Sequence, residues 1–133
     1  MELQSFTSIV EGKTWELTKD ISHLDIDRGS WCLYIHSVSY MDSDFKAFSG
    51  PVHLTSNLVS VRAAPRKIAR TPLVSFIIQS QKKQDWTIHY FPGKKYLVNK
   101  RPRVADFRLD CNSGREIPDD FLLNIHFTIE RFN

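Results

Sequence analysis

The sequence predicts an all-β domain, and three observations carry that reading. Turn-forming residues recur at short intervals along the whole chain. The segments between them are short and rich in β-branched and aromatic residues. Several segments also alternate apolar and polar residues, the period of two that a strand imposes because its successive side chains point to opposite faces. Short strands at this spacing build a sandwich or a barrel.

The elements follow in chain order. The first two candidates, 3–10 and 14–18, are separated by Glu11-Gly12. The stretch Lys19–Arg28 has room for one short helical turn, which Ile21, Leu24 and Ile26 do not require. After Arg28-Gly29, segment 30–40 alternates Trp31, Leu33 and Ile35 with Cys32, Tyr34, His36 and Val38. Both of its faces are fairly apolar, which suits a central strand or one that meets a neighbour. Gly50-Pro51 opens 52–61, and Ala63–Arg70, broken by Pro65 and closed by Pro72, suits an exposed loop. The next candidates are 73–79, 86–91 and 95–98, the last two divided by Pro92-Gly93. In 104–111, Ala105, Phe107, Leu109 and Cys111 should face the core, with Asp106, Arg108 and Asp110 outward. Asn112-Ser113-Gly114 and Pro118 lead into 121–130, where Leu123, Ile125, Phe127 and Ile129 should face in. Asn124, His126, Thr128 and Glu130 should face out, and Leu122–Phe132 as a whole should be a long strand inside a sheet. Nine segments stand close to the eight strands that two four-stranded sheets require.

The 133 residues form a single domain, 1–133, with no internal repeat and no linker long enough to divide it. A chain of this size can bury roughly two-thirds of its unfolded surface, so it needs neither metal nor disulfide to fold. Composition, with 41% hydrophobic and 25% charged residues, is that of an ordinary soluble globular protein. No apolar run approaches the roughly 18 residues of a membrane span. The N-terminal MELQSFTSIVEGK lacks the apolar core of a secretion signal, so an intracellular site is expected. Cys32 and Cys111 then read as two buried thiols rather than a disulfide.

Catalytic signatures are absent. There is no GxSxG elbow, Walker loop, GxGxxG or HExxH. The metal-binding version of an eight-stranded jelly roll, the cupin, places an HxH and a Glu on facing strands. His23, His36, His53, His89 and His126 include no such pair. His36, His89 and His126 fall in strands, beside neighbours that can satisfy them. Asp25/Asp27, Asp42/Asp44 and Asp119/Asp120 read as solvated turn residues. The expectation is a chain with no catalytic, cofactor or metal site.

Charge is sharply divided. Residues 1–61 carry four Lys/Arg against eight Asp/Glu, residues 62–103 eleven against one, and residues 104–133 three against six. Within the basic third, Arg66, Lys67, Arg70, Lys94, Lys95, Lys100 and Arg101 form a candidate contact surface. Trp86, Tyr90, Phe91 and Tyr96 lie among these cations, and single-strand binders interleave cations with stacking aromatics. Strand aromatics more often belong to the core, and consecutive jelly-roll loops alternate between the two ends of the sandwich. Specific nucleic-acid recognition is therefore not the favoured reading. Assembly against the acidic ends of a neighbouring copy uses the same division.

One resemblance covers about 100 residues. Ser30–Tyr40, Val52-His53-Leu54-Thr55-Ser56-Asn57-Leu58-Val59, Pro72–Ile78, His89-Tyr90-Phe91-Pro92 with Tyr96-Leu97-Val98, Asp106–Gly114 and Asn124–Phe132 stand in order at matching spacing. Together they resemble the single jelly-roll minor capsid proteins, the penton or vertex proteins, of Maverick/Polinton-type elements and their adenovirus-like relatives. Where that family carries a Val-Gly-Asp-like turn and a leucine-arginine pair, this chain has the basic Ala63–Arg70 loop. The resemblance implies a two-sheet antiparallel jelly-roll sandwich of about eight strands, located in the virion or in a domesticated copy of a virion protein. It implies a penton-like or minor shell protein that self-assembles as a homo-oligomer, such as a pentamer, and contacts neighbouring capsid proteins. The competing readings are a basic β-barrel that binds nucleic acid through residues 62–103 and a receptor- or glycan-binding β-sandwich head.

Overall fold

A computed structural model describes residues 2–11, 14–16, 28–46, 48–59, 72–79, 85–111, 117 and 121–132. Nine strands lie among them: β1 Glu2–Glu11, β2 Thr14–Glu16, β3 Trp31–Met41, β4 Gly50–Ser56 and β5 Val74–Ile78, followed by β6 Trp86–Tyr90, β7 Lys95–Leu97, β8 Asp106–Asp110 and β9 Leu122–Arg131. A short 3-10 turn, Asp42–Phe45, follows β3. Each of the nine strand segments expected from the sequence is present. The Lys19–Asp27 and Ala63–Arg70 stretches lie outside the described residues, and Arg28 is in a bend. No described helix is long and apolar enough to cross a membrane.

All pairings are antiparallel. One sheet runs β1-β9-β3-β6, with β7 also on β3; the other runs β2-β8-β4-β5. β6 and β7 occupy the same side of β3, opposite Ser37–Met41 and Cys32–Tyr34 respectively. They are two halves of one edge strand, interrupted at Phe91–Lys94. Gly93 holds a φ of 77° there, following Pro92, and Lys94 N–H donates back to the Phe91 carbonyl. Counting the two halves as one gives eight strand positions in two four-stranded sheets. Consecutive strands repeatedly change sheets, the two-Greek-key connectivity of a jelly roll.

The core lies between the sheets. Leu123, Ile125, Phe127 and Ile129 of β9 are fully buried, as their alternation predicts. Phe127 meets Phe107 of β8 edge-on across the sandwich, with ring centroids 5.1 Å apart. Phe45 stacks on Phe121 at one end, at 4.7 Å. β3 departs from its sequence pattern. Ile35 pairs Phe127 and Ser37 pairs His126, so His36 is the extra residue of a bulge. One inserted residue flips every later side chain to the other face. Leu33 and Ile35 face the core before it, and Val38 and Tyr40 after it. Val38, expected opposite Ile35, is therefore core.

Candidate functional site

Both sheets end on the same side of the sandwich, at β5 in one and β6/β7 in the other. The residues that distinguish this side are apolar and turned outward. In β6, Thr87 and His89 face in, while Trp86, Ile88 and Tyr90 face out and are 57%, 50% and 72% exposed. In β5, Val74, Phe76 and Ile78 are buried and Ile77 is exposed. Leu97 of β7 is exposed as well. β6 inverts the rule that large residues face in. Thr87 and His89 turn inward instead, and the His89 ring lies against Tyr40 and Phe76.

Between the two edges lies a groove of about 790 Å³, with Ile77, Ile88 and Tyr90 among its lining residues. Polar groups deeper in it are bonded to one another. Tyr40 Oη and His89 Nε2 share a 3.0 Å hydrogen bond, and the rings stack at 5.6 Å. Thr87 Oγ1 donates to Asp42 Oδ1 at 2.5 Å, and Asp42 N–H donates to the Asp85 carbonyl at 3.0 Å. Asp42, read from sequence as a solvated turn acid, is buried. Its position at the start of the 3-10 turn brings it under Thr87. Burial raises the Tyr40 phenol to about 12, and the nearby Asp42 carboxylate adds to that. Burial lowers the His89 imidazole, with Asp42 opposing. Both groups are therefore neutral at pH 7, so the pair is a structural hydrogen bond. Tyr96 Oη donates to the Leu73 carbonyl, which ties β7 to the entry of β5.

Two further side-chain groups lie on the outer faces. On the β1-β9-β3-β6 sheet the bulge brings Tyr34, His36 and His126 together, each imidazole or phenol 4.8 Å from the His36 ring. His36 Nε2 shares a 2.6 Å hydrogen bond with Thr128 Oγ1. On the other sheet, cross-strand register aligns Ser75, His53 and Asp110, and Ser75 Oγ lies 2.7 Å from His53 Nδ1. The residue types are those of an acyl-transfer triad, but Ser75 sits in a regular strand. Successive strand N–H groups point to opposite sides, so they do not converge into an oxyanion hole as at a nucleophile elbow. The row reads as a cross-strand polar ladder. Among the described residues, no three His, Cys, Asp or Glu side chains gather as a metal site. Cys32 is buried and Cys111 half-buried, and the two are not joined in a disulfide.

The basic candidates do not form one cluster among the described residues. Lys94 and Lys95 stand at the β6–β7 break, opposite Ile35 and Tyr34, where Lys95 Nζ is 3.8 Å from Glu130. Lys100 and Arg101 lie beyond the other end of β7, where Arg101 donates to the Gly29 carbonyl. Ile35 and Gly29 are six residues apart, roughly 20 Å of extended chain. Arg66, Lys67 and Arg70 lie outside the described residues. Sequence reasoning missed the outward stripe Trp86–Ile88–Tyr90, because its aromatics read as core.

No family model matches the chain, and no curated protein or solved structure matches it.

Proposed function

We propose that this chain is a structural capsid protein, penton-like or a minor shell component, that self-assembles and contacts neighbouring capsid proteins without catalysis. The observation that carries the reading is the outward apolar stripe Trp86, Ile88 and Tyr90 on the strand that ends its sheet among the described residues. Large apolar side chains on an edge strand are a liability in a chain that stays alone, since edge and patch together template association. In an assembling chain they are the contact. The jelly roll is itself a capsid architecture, shared with lectins and cupins. The spacing of strand blocks that resembles single jelly-roll penton proteins supports the capsid branch. The virion, or a virus-derived assembly, is the corresponding location.

Size-exclusion chromatography with light scattering tests the proposal on the full chain. An integer multiple of the chain mass is expected at micromolar concentration, with at least about 1,000 Å² buried per contact. Raising salt should slow assembly more than it weakens the assembled form, because exposed charges act chiefly on encounter rates. A strict monomer at high concentration, in low and moderate salt, sinks the proposal. A monomer whose DNA affinity falls steeply with salt replaces it with the nucleic-acid reading.

A further inference from the structure

Among the described residues the sandwich has two sides on which both sheets end, and the strands there differ in their charged residues. On one, β5, β6 and β7 together with the Phe91–Lys94 turn carry Lys94 and Lys95 and no acid. On the other, β1 and β2 carry Glu2, Glu11 and Glu16 and no Lys or Arg. β1 and β2 end their respective sheets there, as β6/β7 and β5 do opposite. The edge devices that discourage pairing, Pro92 and the two lysines, fall at the break and the start of β7. The β6 half, Trp86–Tyr90, contains neither Pro nor a formal charge.

Strand direction relates the two sides. β1 is antiparallel to β9 and β9 to β3, so β1 runs with β3. β6 is antiparallel to β3 and hence to β1. The same steps through β8 and β4 make β5 antiparallel to β2. Two copies set side by side in the same orientation therefore bring β6 of one antiparallel to β1 of the next. β5 and β2 are matched in the same way, and antiparallel is the slightly more stable pairing. Register also carries across the sheet. Ile88 is level with Ser39, Asn124 and Ile9, while Leu97 is level with Cys32, Glu130 and Leu3. A contact without shift along the strands sets the position of Ile88 beside Ile9 of the next copy, and Leu97 beside Leu3.

We infer that the occupant of the β5–β6 side is the β1–β2 side of a second copy in the same orientation, a head-to-tail contact of the kind that builds rings and filaments. The inference rests on the assembly reading above and specifies its geometry. Such a heterologous contact joins unlike patches, which is what a ring or filament needs. The exposed apolar side chains supply the centre of such a contact and not its whole area. Ile77, Trp86, Ile88, Tyr90 and Leu97 are each at least half exposed. Large side chains of this kind bury on the order of 150–250 Å² each for the aromatics, against the roughly 800 Å² that a standard interface takes from each partner. No acid lies in β5, β6 or β7, so a two-fold contact of β6 with β6 would set two copies of Lys94 on the same side.

Cysteine pairing and one charge insertion test it on the full chain. Antiparallel neighbours directly opposite have Cβ atoms about 4.5–5.5 Å apart, near enough for a disulfide after small adjustment. Under mild oxidation, the double variant Ile9→Cys/Ile88→Cys should give a ladder of covalent multimers. Ile9→Cys alone, Ile88→Cys alone and the wild type should give none. Leu3→Cys/Leu97→Cys is the second pair, for use if the first melts low. Ile88→Glu should lose the oligomer in light scattering while keeping the wild-type far-UV spectrum and melting temperature. Tyr90→Glu repeats that test at the most exposed position of the stripe. An oligomer in which neither cysteine pair links, or in which Ile88→Cys alone links as well as the pair, overturns the inference and leaves the assembly reading standing. Ile88→Glu and Tyr90→Glu that assemble like wild type do the same. A wild-type chain that never assembles removes both.

Discussion

β9 and β6 carry the same kind of alternation and meet opposite fates. In β9, Leu123, Ile125, Phe127 and Ile129 vanish into the core while Leu122 and His126 face out. In β6, Trp86, Ile88 and Tyr90 stay outside while Thr87 and His89 turn in. β9 is bonded on both sides, to β1 and β3, and spans the middle of its sheet. Among the described residues β6 is bonded only to β3, at an edge where its inward side chains meet a groove bordered by Tyr40 of β3 and Phe76 of β5. A period of two therefore defines two faces without saying which one is buried. That is decided by what the rest of the fold has left to cover.

The largest expected effect sharpens this contrast from the core side. Phe127 is fully buried against Phe107, so Phe127→Ala should cost about 3–5 kcal/mol in urea unfolding, the range for large-to-small core changes. A midpoint within experimental error of wild type removes β9 from the core.

Much of this was legible in the sequence, for identifiable reasons. Most strand segments are bounded by Gly, Pro or Asn-Ser turns, the junction of 73–79 and 86–91 being instead the polar run Gln79–Asp85, and all are rich in residues that fit a pleated surface, so their positions follow locally. The bulge at His36 is different. Ser30–Tyr40 alternates smoothly through it, and only the pairing of Ile35 and Ser37 with consecutive β9 residues shows the extra residue. Asp42 likewise reads as a turn acid until Thr87, 45 residues later, is placed above it. The apolar contact stripe was hidden because the sequence of β6, WTIHY, looks like a core strand with its large residues inward. Register, and the occupancy of space by distant residues, are properties of the tertiary fold that local pattern does not encode.

A second expectation concerns the groove behind β6. Tyr40→Phe removes the bond to His89 but keeps the ring stacked among Phe45, Phe76 and His89. The cost should be about 1 kcal/mol, the net worth of one hydrogen bond. The pH dependence gives an independent check. A phenol raised to about 12 in the folded chain contributes stability that is fully present below the ordinary value near 10. That stability is lost as pH rises from about 10 through 12. Tyr40→Phe should therefore unfold less steeply with alkali than wild type, by circular dichroism at pH 9–12; equal slopes would place the phenol in solvent.

At the bulge the dependence runs the other way. His36 is lowered by burial and, secondarily, by His126 beside it. Tyr34 also stacks on it and Thr128 bonds it, with Lys95 and Glu130 at the neighbouring register positions. A depressed imidazole contributes stability that is complete above the ordinary value of about 6.5 and lost as pH falls below it. His36→Gln should flatten the urea midpoint between pH 7 and 5 while leaving the midpoint at pH 8 little changed. A wild-type midpoint that does not fall over that range contradicts the assignment.

The smallest expected effect on stability falls on the stripe itself, and it is the one that separates β6 from β9 most cleanly. Tyr90 is the most exposed of the large side chains, at 72%, and its ring contributes little to the monomer's core. Exposed substitutions away from caps and bonded networks stay within about 0.5 kcal/mol. Tyr90→Ser should therefore unfold with the wild-type midpoint when diluted below the assembly threshold. In light scattering at higher concentration the same variant should require several-fold more protein to assemble. The two measurements dissociate only if β6 is retained for a partner and not for the fold. A Tyr90→Ser chain that is destabilised as much as Phe127→Ala would mean that the stripe packs against this chain's own residues, and the contrast between the two strands would disappear.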